Sequence, residues 1–523
     1  MAYSIISKLY PRACETRPPL SHPSLRSERP KFFGAIALNL VLLQLLFLVL
    51  FCYLFGSLFQ QGSRTHSLKV LWVDYDGGIV GDAVRDAYNS LQSDSFPTLI
   101  ERPISEFPSE SDLKAAVCST TYWAALYTSP RSSESLGLAI SGSSASQYNQ
   151  SDILTYIWNE ARYPTALDGS IAGNIQTLSD VARVAYIAQN GTSAFSTIPP
   201  GNSVAISAFA NPWTLSSVNI QPTTQGTRAV YNTIVVVLIL IQDFFYLGTV
   251  NGLYAQFRVF TRISPVRIIV VRNIISGTFT MIGGLLISAT IWAFKSGWNV
   301  SGNQFALNWL ALWLFGHVNF LTLDLFTIWI PAQYVPMALI TWVVMNVTSI
   351  MLPFDLSSPF YRWAYALPAH ATYEVLTDIW SRGCNPHLDF ALPILFAYEL
   401  SGLLWTSLGV YRRSHFAVIA EEAGQEAMRL RVETALKLER ERDKRLAQEN
   451  RGKGSGTEGI MEDSSNEKVM SISQESPEDI EKDRKEAEKE IEGLGSEIER
   501  METRATLMAN FGPSFHVAVG ERE

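Results

Sequence analysis

The stretch FGAIALNLVLLQLLFLVLFCYLFGSL, residues Phe33–Leu58, contains no charged residue and is long enough to cross a membrane. A transmembrane helix needs about 20 mostly apolar residues to span a hydrocarbon core of about 30 Å. The apolar core of a cleaved signal peptide is only about 7–15 residues long, and this stretch follows 32 other residues. We therefore expect it to remain as a transmembrane anchor.

Further apolar runs of spanning length occur later in the chain, at Ala229–Val250, Ile268–Phe294 and Leu392–Val410. The run over residues 305–352 is too long for one helix, and Pro331 and Pro336 interrupt it. Proline ends or kinks a helix because it lacks a backbone N–H. We interpret this run as two spans, with the turn between Asp324 and Pro336. The sequence thus predicts an α-helical multispan membrane protein with six spans.

Residues 59–228 separate the first two spans and are numerous enough to form a core of their own. This segment begins with the apolar run Leu68–Asp74, a glycine turn and the helical pattern Val80–Leu91. Further patterns predict a helix beginning at Ser109–Leu113, a strand at Tyr122–Thr128, helices at Ser151–Ala161 and Leu178–Ala188, and a returning strand at Ser203–Ala210. Strands that alternate with helices indicate an α/β domain.

Basic residues flank the spans on one side and set the expected orientation, because lysine and arginine are enriched in short cytosolic connections. They occur in the tail 1–32, in the connection 251–267 and after the last span, at Lys8, Arg12, Arg17, Arg26, Arg29, Lys31, Arg258, Arg262, Arg267, Arg412 and Arg413. We therefore predict cytosolic termini, an extracytoplasmic domain over 59–228 and a five-span bundle over 229–411. The expected location is the plasma membrane or an endomembrane.

Three Asn-X-Ser/Thr sequons lie in segments predicted to be outside, and they begin at Asn149, Asn190 and Asn299. Such sequons are glycosylated only on the lumenal side. A fourth sequon, at Asn346, lies inside a predicted span. We therefore expect a glycoprotein that is modified at the first three sites and not at Asn346.

Two of the four cysteines, Cys118 and Cys384, are predicted to face the oxidising side, where disulfides persist. A disulfide between them would tie the large domain to the last outside loop. They could equally remain as two free thiols, because a sequence does not show whether two cysteines meet.

Ionisable residues inside apolar spans are expensive to bury and usually face the bundle interior or an aqueous path. Asp243 and Glu399 lie well inside their spans and are the leading candidates for a proton or cation site. His317 and Asp324 are seven residues apart, which places them on one helix face, and histidine titrates near neutral pH. The alternative for all four is a structural role, with side chains hydrogen-bonded between packed helices.

Asp74 and Asp76 follow the first predicted strand and allow two interpretations. Two carboxylates two residues apart after a strand could hold a divalent metal, as in a single-anchor glycosyltransferase. The many additional spans argue against that class, and aspartate beside Gly77-Gly78 is typical of a turn and a helix cap. We expect no metal here.

The segment 353–390 mixes aromatic residues with proline and charge, as expected of helices at a membrane interface. It would form either an aromatic surface for a lipid or amphiphile, or an anchor at the headgroup level. After the last span, residues 412–523 are predicted to form a cytosolic tail. Its parts are a helix at Ala417–Glu449, a disordered linker at Gly452–Ser476 and a further helix to about Arg504.

Two sequence motifs resemble those of a known family. They are LWVDYDGG at Leu71–Gly78 and PFDLSSPFYRWAYALP at Pro353–Pro368. With the order of spans and domain from Lys31 to Arg413, the chain resembles the fungal nitrosoguanidine-resistance membrane protein family, related to type-2 ABC exporter permeases and phage-infection-protein-like membrane proteins. The resemblance implies a role in drug tolerance and lipid homeostasis, no catalytic residues and a dimer.

No Gly-x-x-x-x-Gly-Lys-Ser/Thr P-loop occurs in the chain, so an exporter would need a separate ATPase subunit or an ion gradient. The net charge is −8, and no basic patch suggests nucleic-acid binding. We expect a non-enzyme without cofactors that acts in tolerance to toxic amphiphiles by transport or by control of lipid organisation. The alternative is a non-transporting scaffold or stress regulator. Expected partners are membrane lipids, a small amphiphilic substrate, and a second copy of the chain or an ATPase subunit.

Overall fold

The computed structural model describes residues 26, 28–143, 148–223, 235–295, 298–453 and 493. Its helices are α1 (Glu28–Leu58), α2 (Ile79–Leu91), α3 (Glu110–Cys118), α4 (Ser132–Ile140), α5 (Asn174–Thr197), α6 (Ser203–Ala210), α7 (Val235–Gln256), α8 (Pro265–Ala293), α9 (Gly302–Trp329), α10 (Val335–Met351), α11 (Pro368–Trp380) and α12 (Leu388–Lys453). Short helical turns lie at Gly62–Ser67, Gln150–Asp152, Pro164–Leu167, Asp168–Gly173, Val259–Arg262, Ala332–Tyr334 and Pro359–Ala366. The linker and the last helix predicted for the tail lie outside the described residues, apart from their positions 452, 453 and 493.

Five helices of the described chain, namely α1, α7, α8, α9 and α12, are long and apolar enough to cross a membrane. The remaining expected span corresponds to α10, which is apolar but only 17 residues long. Its connection to α9 falls at residues 330–334, inside the interval where the sequence places the turn. The six-span count itself stays a prediction.

Helix α9 is the central helix of the bundle, since it packs against α7, α8, α10, α11 and α12. Its contact with α8 is close because Gly284 has no side chain. A Cβ atom there would lie 3.1 Å from the backbone nitrogen of Trp313. By contrast, α1 packs mainly on α10, and most of its apolar side chains are exposed. The arrangement suits a helix that faces lipid along most of its length.

The segment between α1 and α7 contains a five-stranded sheet in the order β2-β1-β3-β4-β5. The strands are β1 (Lys69–Asp74), β2 (Thr98–Glu101), β3 (Ala124–Thr128), β4 (Leu154–Trp158) and β5 (Ser216–Asn219). All neighbouring pairs are parallel except β3 with β4. Alternate residues of β1 face opposite sides, so Trp72 joins one buried cluster and Leu71 the other. Helices therefore cover both faces of the sheet.

Two predicted elements of this segment are wrong. The helix expected at Ser151–Ala161 is strand β4, whose five residues are all buried. A strand buried on both faces has no alternation, so periodicity does not distinguish it from a buried helix. The strand expected at Ser203–Ala210 is helix α6, which begins after Asn202. The Asn202 side chain accepts hydrogen bonds from the first backbone N–H groups of α6, a helix-start signal that the prediction overlooked.

The sheet segment is fixed to residues 353–390 of the bundle. The Cys118–Cys384 disulfide joins the end of α3 to the loop before α12. Around it, Asn159 Nδ2 donates to the Cys384 carbonyl oxygen at 3.1 Å, and the backbone N–H of Tyr163 donates to Tyr373 Oη at 2.8 Å. The α/β segment is thus bonded to the loop region that separates α10 from α12.

The interface-type segment expected over 353–390 differs from the structure in one respect. Helix α11 within it is enclosed by protein, and all of its residues from Pro368 to Thr377 are buried. Exposed aromatic side chains remain in the turn before it, at Phe360, Trp363 and Tyr365. Only this turn has the aromatic surface that the sequence suggests.

The last span and the start of the tail form one helix. Helix α12 runs without interruption from Leu388 to Lys453, over 66 residues. The expected boundary between bundle and tail at residue 411 is therefore not a structural boundary, and the helix predicted at Ala417–Glu449 continues the span directly.

The disulfide gives a direct test of the docking. In denaturant, the unreduced chain should take up two maleimide groups and the reduced chain all four, as measured by mass spectrometry. Replacing Cys118 and Cys384 by serine should lower the free energy of unfolding by about 2–4 kcal/mol, because the disulfide restricts the unfolded chain. A Cys52→Ser variant, at an exposed free cysteine, is the control. Four adducts before reduction would contradict the pairing.

Candidate functional site

The structure brings two of the four candidate residues of the spans together. His317 Nδ1 on α9 lies 2.6 Å from Glu399 Oε1 on α12, and His317 Nε2 lies 3.1 Å from Ser276 Oγ on α8. Both ionisable side chains are mostly buried, with exposed fractions of 11% and 16%. The second carboxylate oxygen of Glu399, Oε2, has no hydrogen-bond partner among the described residues. A protonatable pair therefore links three membrane-length helices.

The pair lies near the middle of the bundle. Glu399 is 11 residues from the start of α12, or about 17 Å at a rise of 1.5 Å per residue. His317 is 15 residues from the start of α9, or about 23 Å by the same rise. Both distances fall well inside a hydrocarbon core of about 30 Å. Both ionisable side chains therefore lie several turns into membrane-length helices rather than in their first turns.

Asp243 on α7 is also buried, with an exposed fraction of 2%, but it does not join the pair. Its Oδ2 atom has no hydrogen-bond partner in the described part of the chain. The neighbouring Gln242 occupies the space that a side chain at Gly283 would need, since a Cβ atom there would lie 2.7 Å from its amide. Asp243 is thus an isolated carboxyl group in an apolar setting.

Asp324 belongs to a different cluster from His317, although both residues are on α9. Its Oδ1 atom lies 2.5 Å from Arg272 Nη2 and 3.2 Å from Arg413 Nη1. Asn251 Oδ1 accepts from the same two arginines at 3.1 and 3.4 Å. Thr327 also accepts from Arg413. The Asp324 side chain is fully buried.

Sequence reasoning did not identify Arg272 or Arg413 as partners of Asp324. In the sequence, Arg413 follows the last span and indicates topology, and Arg272 lies inside the predicted span Ile268–Phe294. A signal was available, because a charge within a span requires a countercharge nearby. Pairing Arg272 with the acids of the other spans would have suggested the cluster.

A second cluster missed by the sequence lies where the α/β segment meets α11. Glu374 Oε2 accepts from Asn385 Nδ2 at 2.6 Å and lies 2.6 Å from His387 Nδ1, while Oε1 lies 3.5 Å from His370 Nε2. His387 Nε2 in turn lies 3.0 Å from Thr120 Oγ1 of the α/β segment. This carboxylate therefore connects α11 to the docked segment.

The environment of Glu374 favours its ionised form. Burial alone raises the pKa of this carboxyl group, but the hydrogen bonds and charges of His387, His370 and Asn385 outweigh burial. Together they lower the pKa of Glu374 from 4.5 to about 2. Burial also disfavours the charged form of the neighbouring His370 imidazole, and for a base this lowers the pKa.

Asp74 and Asp76 form the turn and helix contacts that the second interpretation describes. Asp74 Oδ1 accepts from the backbone N–H groups of Asp76 and Gly77 at 3.1 and 3.0 Å, and its Oδ2 accepts from Arg85 Nη2 at 2.8 Å. Asp76 accepts from the backbone and hydroxyl of Ser133. Both carboxylates are used to hold the loop after β1 against neighbouring helices.

The sequon asparagines occupy different settings. Asn149 and Asn299 are exposed, whereas Asn190 is half-buried in helix α5. Asn346 is fully buried on α10, where its amide donates to the Trp342 carbonyl oxygen at 2.9 Å. Glycosylation at the first three sites stays a prediction.

Comparison with known proteins gives a family and a distant relative. A family model described as "Protein of unknown function (DUF3533)" matches residues 39–404. The uncharacterized endoplasmic reticulum membrane protein YJR015W of Saccharomyces cerevisiae is 21% identical over 385 residues, which cover 68% of this chain and 75% of the relative. No solved structure matches the chain.

The Glu374 cluster predicts a pH dependence of stability. Because the folded state lowers the pKa of Glu374 from 4.5 to about 2, its stabilising contribution is complete above pH 4.5 and is lost as the pH falls toward 2. Glu374→Gln should be less stable at pH 7 by about 1–3 kcal/mol, since the partners lose a charged acceptor. It should also lose less stability on acidification, as measured by the thermal midpoint between pH 5.5 and 3.

The matched control is Asp389→Asn, which removes an exposed carboxylate near the start of α12. This variant should follow the pH dependence of the unmodified protein. Equal pH dependence of Glu374→Gln and the unmodified protein would show that other groups govern the acid lability.

Proposed function

We propose that this chain, which belongs to the DUF3533 family, handles amphiphiles in a membrane by transporting them or by changing how lipids are organised. Protonation of the His317–Glu399 pair would control the process. The proposal does not include enzyme activity, and an ion gradient or a separate ATPase subunit would supply energy. Membrane lipids and a small amphiphile are the proposed partners, together with a second copy of the chain as in the resembling permeases.

The observation that carries the proposal is the 2.6 Å contact between His317 Nδ1 and Glu399 Oε1. Charged groups at mid-depth are costly and mark ion or substrate paths when they occur. Histidine changes charge in the physiological pH range. Gain or loss of one proton would therefore convert a neutral histidine–glutamate ion pair to a pair with one net charge. Since the pair bridges α9 and α12, this change would alter the attraction between two membrane-length helices.

Two further features support the location and the orientation that we propose. The yeast relative is named as an endoplasmic reticulum membrane protein, which agrees with the endomembrane option. The exposed arginines Arg258 and Arg262 lie between α7 and α8, and Arg267 lies in the first turn of α8, at the end of the bundle away from the α/β segment. By the positive-inside rule this end faces the cytosol, which would leave the α/β segment outside.

A non-transporting scaffold is the second candidate function, and one observation favours it. Beyond the bundle, α12 continues to Lys453 and exposes several apolar side chains, namely Met428, Val432, Leu436 and Leu446. Apolar side chains on an extended polar helix are typical of a partner-binding face. In this case the protein would recruit another component rather than move a substrate.

Reconstitution of the full chain into proteoliposomes separates these functions. Movement of a fluorescent cationic amphiphile and a fluorescent phospholipid would be measured with and without an imposed proton gradient. We expect gradient-dependent movement that falls at least tenfold in Glu399→Gln and in His317→Gln, because neither variant retains a protonatable pair. Glu422→Gln, an exposed carboxylate on the same helix, should leave the rate unchanged.

Movement of either probe that persists in Glu399→Gln and His317→Gln would refute control by the pair. Absence of movement in every folded protein would favour the scaffold. In that case, substitution of Met428 and Val432 by glutamate should abolish function in cells while Glu399→Gln is tolerated.

A further inference from the structure

The cluster around Asp324 has a charge imbalance. Arg272, Arg413 and Asp324 have side chains with exposed fractions of 3%, 4% and 1%, and a single carboxylate serves both guanidinium groups. The side chains of Asn251 and Thr327 accept further hydrogen bonds from the arginines but are neutral and add no negative charge. The cluster therefore has one more positive charge than negative charge. Buried charges are normally paired, since removal from water is costly.

Some donors of the cluster also lack acceptors. Arg272 Nη1 and Arg413 Nε are buried and have no hydrogen-bond partner in the described part of the chain. Ring contacts compensate in part, because Arg272 lies 5.3 Å from the Tyr254 ring centroid and 5.6 Å from that of Phe320. A negatively charged group that accepts hydrogen bonds would satisfy both the surplus charge and the unused donors.

The depth of the cluster indicates where that group comes from. Arg413 is 25 residues from the start of α12, or about 37 Å, and Asp324 is 22 residues from the start of α9, or about 33 Å. Both exceed a hydrocarbon core of about 30 Å, so the cluster lies at headgroup level at one end of the bundle. Exposed arginines surround this end, at Arg258, Arg262 and Arg267, and would attract anions.

We propose that Arg272 and Arg413 form a binding site for a phosphate oxyanion. Guanidinium groups bind phosphate through paired N–H donors, and the anion would neutralise the surplus charge. Asp324 would act as a positioning residue that holds the two arginines together. The phosphate belongs to an anionic lipid headgroup at this end of the bundle or is free inorganic phosphate. This site is separate from the His317–Glu399 pair, so the inference does not depend on the proposed function.

The test measures the thermal midpoint of the full chain, purified in neutral detergent, at constant ionic strength set with sodium chloride. The probes are phosphatidic acid, phosphatidylcholine and inorganic phosphate, each added over a concentration series. We expect phosphatidic acid to raise the midpoint by several degrees and phosphatidylcholine to leave it unchanged. A comparable increase with inorganic phosphate would identify free phosphate as sufficient. No increase with either anion would overturn the site.

Variants connect the shift to the cluster. Arg413→Gln should abolish the increase, whereas Arg102→Gln, which removes an exposed charge on the α/β segment, should retain it. Should Arg413→Gln fail to fold, Arg413→Lys preserves the charge but not the paired donors and should weaken apparent binding at least threefold. Binding that is equally strong in Arg413→Lys and in the unmodified protein would overturn the proposal.

Discussion

Polar side chains on α9 have to find partners within the protein, because a hydrocarbon core offers no water to satisfy them. Four of these side chains are paired with residues on neighbouring helices. Asn308 accepts from Trp380 of α11 at 3.0 Å, Asn319 accepts from Trp342 of α10 at 3.0 Å, His317 pairs with α12, and Asp324 pairs with both α8 and α12. These contacts fix the rotation of α9, which determines which side chains face one another in the bundle.

The same requirement connects the bundle to the α/β segment. Helix α11 supplies Trp380 to α9 and Tyr373 to the backbone of the docked segment, so one short buried helix contacts both parts. The disulfide and the Glu374 cluster lie on the same seam. A movement of α12 relative to α9 would therefore act on the loop that holds Cys384 and, through the disulfide, on the α/β segment.

The sequence predicted those features that depend on local composition. Span positions followed from the length of apolar runs, and the first strand and helix of the α/β segment followed from a run, a glycine pair and an amphipathic pattern. The error at Ser151–Ala161 arises because burial of every residue of β4 removes the periodicity that separates strand from helix. The error at Ser203–Ala210 has another cause, the helix-start signal of Asn202, since most residues of α6 are not buried. The candidate residues were found one at a time, but their pairing depends on helix rotation and depth, which a single sequence does not encode. Arg272 and Arg413 show this well, because a rule that counts flanking charges assigns Arg413 to topology and does not count Arg272, which lies inside a predicted span.

The unbroken helix α12 makes the bundle mechanically continuous with the region beyond it. From Glu399 to Lys453 the helix extends about 81 Å at 1.5 Å per residue. A rigid tilt of about 5° around Glu399 would move the far end by about 7 Å on this estimate. At that angle, the far end of α12 would move farther than the pitch of one helical turn, which is about 5.4 Å. Because α12 is one continuous helix, a small rotation near the buried carboxylate of Glu399 would be amplified into a larger movement of the C-terminal end of the helix.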